Sequence, residues 1–153
     1  MKQHPTLFLV HFVATAAMTG LIWFVQVVHY PMFSDIPAEA FLTYEIEHQL
    51  RTSSVVIPFM MTEFLTGCYL ALRSRPLLSG RDLMLFRGSM FLLAIVWGST
   101  FLIQVPLHEE LSQTADPYLI DSLVCSNWIR TICWSMRSLI LGALMVQWLI
   151  IKE

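Results

Sequence analysis

Hydrophobic residues in this chain are gathered into four long runs, and most charged residues lie in the shorter segments between them. A run of about 20 apolar residues is long enough to cross a bilayer as a helix. Because lipid offers the backbone no hydrogen bonds, such a segment has to be helical. The pattern therefore predicts an all-α, integral membrane, antiparallel four-helix bundle, with spans at Thr6–Val28, Ser53–Leu72, Met84–Leu107 and Trp128–Ile150.

The composition also indicates a membrane protein. Of the 153 residues, 56% are hydrophobic and 13% are charged, whereas soluble proteins carry about 25% charged residues. We therefore expect one membrane domain over residues 1–153, with the lipid bilayer as its partner. The first apolar run is too long for the hydrophobic part of a signal peptide, so we expect it to be a retained span. The net charge of −2 gives no indication of a nucleic-acid partner.

Positively charged residues set the expected orientation, because loops rich in lysine and arginine stay in the cytoplasm. The connection between the second and third spans and the two ends of the chain carry such residues: Lys2, Arg73, Arg75, Arg81, Arg87 and Lys152. The first and third connections are acidic instead. The predicted location is a bacterial inner membrane, with both termini in the cytoplasm and the acidic connections on the outer side.

The rare polar residues repeat at a single offset of 79 positions. This offset carries His29 onto His108, and it aligns the string HQLRT, which begins at His48, with NWIRT, which begins at Asn127. We interpret the repeat as an ancient duplication of a helical hairpin, with units at about 6–72 and 84–150. Two parallel hairpins, related by an axis along the membrane normal, would bring these polar residues together at the outer end of the bundle.

The first outer connection has a helical pattern of its own. Its distinctive side chains recur at helical spacing: Phe41, Tyr44, Glu45, His48 and Arg51. Two structures fit this pattern. The segment is either an extension of the second span above the lipid or a short helix on the membrane surface.

Three histidines at one end of a four-helix bundle are the strongest chemical feature. Imidazole is a common ligand of transition metals, and helical bundles build metal sites from facing helices. We predict that His29, His48 and His108 bind iron, copper or zinc. The alternative is that they only hydrogen-bond lipid headgroups, water or loop carbonyls. The side chains predicted to support the metal or to hold substrate are Gln26, Tyr30, Tyr44, Arg51 and Gln104.

Two charged residues lie deep inside the predicted spans. By helix rise, Glu63 lies about 18 Å along the second span from Arg51, and Arg137 lies about 10 Å along the fourth span from Arg130. Charged groups at such depth usually pair in the interior, so we predict an ion pair between Glu63 and Arg137. This pair is either a structural lock or part of a proton relay or substrate anchor. His11, in the first span, is predicted to hydrogen-bond within the bundle.

Two arginines related by the repeat, Arg51 and Arg130, lie at the predicted outer interface. Long basic side chains there usually extend toward the headgroups. Because the outer side disfavours arginine, two further roles are open. The arginines could bind an anionic group of a substrate, or they could pair with nearby acidic residues, namely Glu45, Glu47, Glu109 and Glu110.

The string NWIRT, with Asn127 and Arg130 at the start of the last span, resembles the end of the anthrone oxygenase-like family of small four-span membrane proteins. The stretches TGLIWFVQVVHYPMF, which begins at Thr19, and STFLIQVPLHEEL, which begins at Ser99, look still more like an uncharacterised bacterial branch of similar proteins. The resemblance covers nearly the whole chain, although only the final motif is shared with the oxygenases. It implies oxidation of a polycyclic aromatic substrate, and it does not specify a cofactor.

These features lead to three hypotheses about function, beside a fourth, a purely structural membrane subunit, which explains the apolar composition but not the paired polar sites. The first is a membrane-embedded oxidoreductase with a histidine-based metal site near the outer face, acting on a small apolar or aromatic substrate. Its candidate catalytic residues are Glu63, Asn127, Arg130 and Arg137. The second is an electron carrier in which two of the histidines ligate haem b. The third is a non-enzymatic small-molecule or ion carrier, which would need a homo-oligomer because four spans are few for a transporter.

Overall fold

The computed structural model describes residues 5–73 and 80–150. Within these ranges the chain forms α-helices and no strand. The helices are α1 (Pro5–Phe24), α2 (Ala38–Arg73), α3 (Gly80–Ser99), α4 (Val105–Leu111) and α5 (Pro117–Ile150). A helical turn of the wider π type, Thr100–Gln104, joins α3 to α4 without a break. The described chain thus has four continuous helical segments that are long and apolar enough to cross a membrane, and we call them rods, numbered in chain order. The predicted all-α four-helix bundle is confirmed.

The packing of the rods leaves one side of the bundle loosely closed. α1 packs against both α2 and α5, and α5 also packs against α3. By contrast, α2 and α3 contact each other only sparsely. An apolar cluster around Phe8, Phe86 and Leu141 fills the bundle near the start of α1. A larger cluster, which includes Met18 and Trp134, fills the rest of the interior.

The helices extend well beyond the predicted spans. α2 begins at Ala38 rather than at Ser53, and α5 begins at Pro117 rather than at Trp128. The 36 residues of α2 correspond to about 54 Å of helix, whereas the hydrocarbon core of a bilayer is about 30 Å thick. Of the two structures open for the first outer connection, the extension of the second span is therefore the one observed.

The predicted connection from His108 to Asn127 is wrong over most of its length, because only residues 112–116 lie between α4 and α5 and the rest is helical. Hydropathy could not indicate this, since the added turns are amphipathic rather than apolar. The local reason is a helix cap: the Asp116 carboxylate accepts a hydrogen bond from the backbone N–H of Tyr118 at 2.8 Å. Pro117 occupies the first helical position, where its missing N–H costs nothing.

A proline follows a π-helical turn in both the first and the third rod. The turns are Val25–His29, before Pro31, and Thr100–Gln104, before Pro106. Proline lacks an N–H and its ring clashes with the preceding helical turn, and a π turn is one way for a helix to relieve that conflict. Neither proline ends its rod at once: the chain continues as a 3₁₀ helix, Pro31–Asp35, in one case and as α4 in the other.

Several residues used to predict orientation lie outside the described residues, namely Lys2, Arg75 and Lys152. The predicted connection from Arg73 to Leu83 is also only partly described, and α3 begins within it at Gly80. The orientation of the chain therefore stays a prediction.

Depth in the membrane follows from helix rise along α2. If Arg73 marks one edge of the hydrocarbon core, Glu63 lies about 15 Å from that edge, which is the middle of a core of about 30 Å. His48 lies about 38 Å from Arg73 and hence just beyond the opposite edge. We call that end of the molecule the histidine end.

Candidate metal centre at the histidine end

Three side chains from two helices could hold a metal ion. Glu45 and His48 lie three residues apart on α2 and so share one of its faces, and His108 is contributed by α4. Each offers one ligand atom, and these atoms all lie within 4.8 Å of one another. Two imidazoles and one carboxylate are the protein ligands of many non-haem iron(II) oxygenases and of some catalytic zinc sites.

The Glu45 carboxylate is fully buried, and only one of its two oxygens has hydrogen-bond partners among the described residues. Its Oε1 atom lies 2.6 Å from Nδ1 of His108 and accepts a hydrogen bond from the side-chain amide of Gln49 at 3.0 Å. Its Oε2 atom is buried and has no hydrogen-bond partner among the described residues. A buried carboxylate oxygen without a partner is costly, and a metal ion at this position would remove that cost.

His48 presents one engaged and one free nitrogen. Its Nδ1 atom lies 2.8 Å from Nε2 of His29 and 3.0 Å from the hydroxyl of Thr52. Its Nε2 atom has no hydrogen bond within the described part of the chain. When Nδ1 of His48 carries the proton and donates a hydrogen bond to His29, Nε2 of His48 keeps a free lone pair that can bind a metal.

His108 is held on both sides of its ring. Besides the contact with Glu45, its Nε2 atom lies 2.9 Å from the hydroxyl of Tyr30. Metal binding therefore requires that His108 exchange one of these two hydrogen bonds for the ion. The backbone carbonyl of the same residue accepts a hydrogen bond from Gln49 at 2.9 Å, which ties α4 to α2.

His29, a predicted ligand, lies outside this group of three residues and contacts one of its members, His48. Its ring contacts the engaged nitrogen of His48, on the side of the ring opposite to the free nitrogen. Metal-bound histidines generally use the second ring nitrogen for an orienting hydrogen bond. The observed geometry thus gives His29 a supporting position and gives Glu45 the third place among the candidate ligands.

A buried hydrogen-bond network extends from His108 across the bundle to α5. The guanidinium of Arg130 donates to the Tyr30 hydroxyl and to Oε1 of Gln104, both at 3.2 Å. It also makes two hydrogen bonds to the side-chain oxygen of Asn127, at 2.6 and 2.9 Å. The amide of Asn127 donates to Oε1 of Gln26 at 2.9 Å. The predicted clustering of these polar residues is observed.

The two arginines related by the repeat have opposite environments. Arg51 lies on the surface, with its side chain 81% exposed, and pairs with Glu47 at 2.9 Å. Arg130 is only 7% exposed, and among the described residues it forms no ion pair with a carboxylate. Tyr44, another predicted supporting residue, is 37% exposed, and its ring lies parallel to that of His48 with the ring centroids 6.3 Å apart.

The predicted pair of Glu63 and Arg137 is present deep in the bundle. The carboxylate and the guanidinium are 3.0 Å apart, and both side chains are fully buried. The second carboxylate oxygen accepts a hydrogen bond from the indole N–H of Trp134 at 2.9 Å. Nearby, Nδ1 of His11 lies 2.9 Å from the hydroxyl of Thr66, so the predicted hydrogen bond of His11 within the bundle is also confirmed.

A cavity of 410 Å³ adjoins the candidate ligands on the inner side. Its polar end is formed by His48, Gln49, His108, Glu109 and three residues of the network, Tyr30, Gln104 and Arg130. The remaining wall is mainly apolar and reaches down to Met18, Met60, Trp97 and Trp134. The volume falls within the range of ligand pockets, about 300–1,000 Å³.

An open groove lies on the other side of His48, lined by His29, Tyr44, Arg51 and Thr52 among others. Both His48 and Thr52 line the cavity as well as the groove. These two side chains therefore form part of a thin wall between the two spaces.

The candidate ligand that sequence reasoning missed is Glu45. The signal was present, because Glu45 and His48 form a Glu-x-x-His motif, the spacing used in di-metal carboxylate bundles.

Comparison of the chain with protein-family models, with curated proteins and with solved structures gives no match.

Proposed function

We propose that this protein is a membrane-embedded, metal-dependent oxidoreductase that acts on a small apolar or aromatic substrate. One observation carries the proposal: a carboxylate and two imidazoles converge on one point beside a mainly apolar cavity of 410 Å³. This donor set suits iron(II), with copper and zinc as the other candidates. The resemblance of the segment around Asn127 and Arg130 to the anthrone oxygenase-like proteins points to the same class of reaction.

Bound iron or copper would supply redox chemistry with dioxygen at the coordination positions that the protein leaves open, whereas zinc has no redox chemistry of its own. Glu45, His48 and His108 would hold it. His29 would orient the ring of His48, and Tyr30 would do the same for His108. The apolar wall of the cavity would hold the substrate beside the ion and exclude bulk water.

A haem-b carrier is less well supported by the same contacts. Two axial histidines place the porphyrin plane between their rings, but His29 and His48 contact each other directly at 2.8 Å. His48 and His108 have ring centroids only 5.4 Å apart. An ion carrier that uses Glu63 as its proton site is also weakly supported, because both oxygens of this carboxylate are already engaged.

The test is elemental analysis of detergent-purified protein, with an absorbance spectrum of the same sample. We expect about one equivalent of metal and no Soret band. Glu45→Gln and His48→Gln should lose the metal. The matched controls are Glu47→Gln, which changes an exposed carboxylate two residues away, and His11→Gln, which removes a histidine outside the group; both should keep it.

Full metal occupancy in both Glu45→Gln and His48→Gln would overturn the assignment. So would wild-type protein that binds no metal after expression with iron, copper and zinc supplied. A Soret band that disappears in the histidine variant would replace the proposal with the haem alternative.

A further inference from the structure

The cavity beside the candidate metal centre reaches the lipid-facing surface between α2 and the rod formed by α3 and α4. Four side chains line the cavity and are also substantially exposed: Ile57 at 55%, Met61 at 38%, Phe101 at 58% and Val105 at 39%. The first two belong to α2 and the other two lie at or just after the π-helical turn that follows α3. Because these apolar side chains face the cavity and the outside at once, the opening between them faces lipid.

The opening coincides with the weakest contact between neighbouring rods, since α2 and α3 touch only sparsely. The side chains that line it on α2 are small or flexible, such as Ser53, Val56 and Met60. Methionine adapts readily to ligands of irregular shape. An apolar molecule dissolved in the bilayer could therefore enter here without passing through water.

At the other end of the cavity lies a buried positive charge that makes no direct ion pair among the described residues. The buried carboxylate of Glu45 is linked to it through His108 and Tyr30 and does not touch it. Arg130 lines the cavity, is 7% exposed, and has only neutral partners, which are Tyr30, Gln104 and Asn127. A buried, unpaired charge is strongly unfavourable. An acidic group on a ligand in the cavity would give Arg130 a counterion in direct contact and would form charge-assisted hydrogen bonds.

The shape of the cavity sets the rest of the ligand. Along α2 the lining runs from His48 to Met61, a length of about 20 Å by helix rise. At 410 Å³ the cavity is at the small end of the usual range, which suits one elongated apolar body rather than a lipid with two acyl chains.

We propose that the cavity binds a single-tailed acidic amphiphile, which enters from the bilayer between α2 and α3 and places its acidic oxygen on Arg130. That this ligand is the substrate rests on the proposed function. Its binding does not, because Arg130 is not among the candidate metal ligands.

The test uses full-length protein in phosphatidylcholine nanodiscs and cis-parinaric acid, a fluorescent single-tailed carboxylic acid. Energy transfer from the cavity tryptophans, Trp97 and Trp134, to the probe reports binding. We expect the acid to bind at least about tenfold more tightly than its methyl ester, because the ester lacks the charge that Arg130 balances. Arg130→Gln should remove this difference, and Arg130→Lys should retain part of it.

Two matched controls separate the site from general partitioning into lipid. Arg51→Gln changes the exposed counterpart of Arg130 in the repeat and should not affect the preference for the acid. Val56→Trp fills the cavity and should abolish saturable binding of both acid and ester. Val55→Trp places the same bulk on an exposed neighbouring position that does not line the cavity, and binding should be unchanged.

Equal binding of acid and ester, or full binding to Val56→Trp, would overturn the proposal, and the second result remains informative even if the Arg130 variants fail to fold. Displacement of the probe by phosphatidylglycerol in the nanodisc would show that the site takes an ordinary anionic lipid instead. Probe binding by protein that holds no metal would count against the proposed oxidoreductase only. Metal binding without any preference for the acid would count against this inference only.

Discussion

Neutralising Glu63 should strongly destabilise the bundle, because Arg137 would remain buried near the middle of the membrane without a counterion. The two charges are 3.0 Å apart and both side chains are fully buried. At an effective dielectric constant of about 20, unit charges at this distance attract each other by about 5.5 kcal/mol. Removal of one member of a buried pair typically costs about 3–5 kcal/mol. We expect Glu63→Gln to lower the free energy of unfolding by about 3–5 kcal/mol. The oxygen of the new glutamine side chain should still accept the hydrogen bond from Trp134.

The assay is a double-mutant cycle in mixed detergent micelles, with equilibrium unfolding followed by circular dichroism. Arg137→Met alone should also be destabilising, because it leaves the Glu63 carboxylate buried without its cation. The double variant should be more stable than the sum of the single changes predicts, by at least about 2 kcal/mol. The same cycle at the exposed pair of Glu47 and Arg51 should give less than about 1 kcal/mol. A coupling energy below about 0.5 kcal/mol at the buried pair would refute the reasoning.

Two further changes test the packing of the helices and the role of one histidine. Gly67→Ala would bring a Cβ atom to 2.9 Å from Cε1 of His11, so thermal unfolding should show a loss of about 1–3 kcal/mol. Gly142→Ala, whose new Cβ would have no neighbour closer than 3.6 Å, should be neutral or slightly stabilising. In zinc titrations, His29→Ala should weaken binding by about 10- to 100-fold without changing the stoichiometry. Complete loss of zinc, as expected for His48→Gln, would show instead that His29 is itself a ligand.

The four rods could be predicted from the sequence because lipid imposes a simple rule on any segment of about 20 apolar residues. Their outer ends could not be predicted in this way. The first turns of α2 and α5 carry polar residues, and contacts that depend on the fold stabilise them, such as those of Glu45 and Gln49 with His108. Hydropathy alone records these turns as loops.

The site could be predicted to the level of a cluster but not of a ligand set. The repeat correctly grouped the histidines with Asn127 and Arg130. It treated Arg51 and Arg130 as equivalent, however, and their environments differ because only Arg130 has Tyr30 and Gln104 beside it. Which nitrogen of His48 is free depends on where the ring of His29, from another rod, lies. The spacing of residues along the chain cannot predict that position.

The thin wall formed by His48 and Thr52 has a consequence for how the site fills. Since the groove on one side and the cavity on the other are separate spaces that meet at the same imidazole, water-soluble and lipid-soluble compounds would arrive by different routes. Binding of the water-soluble compound would not block the route of the lipid-soluble one, or the reverse. The two compounds should therefore bind in random rather than in a fixed order.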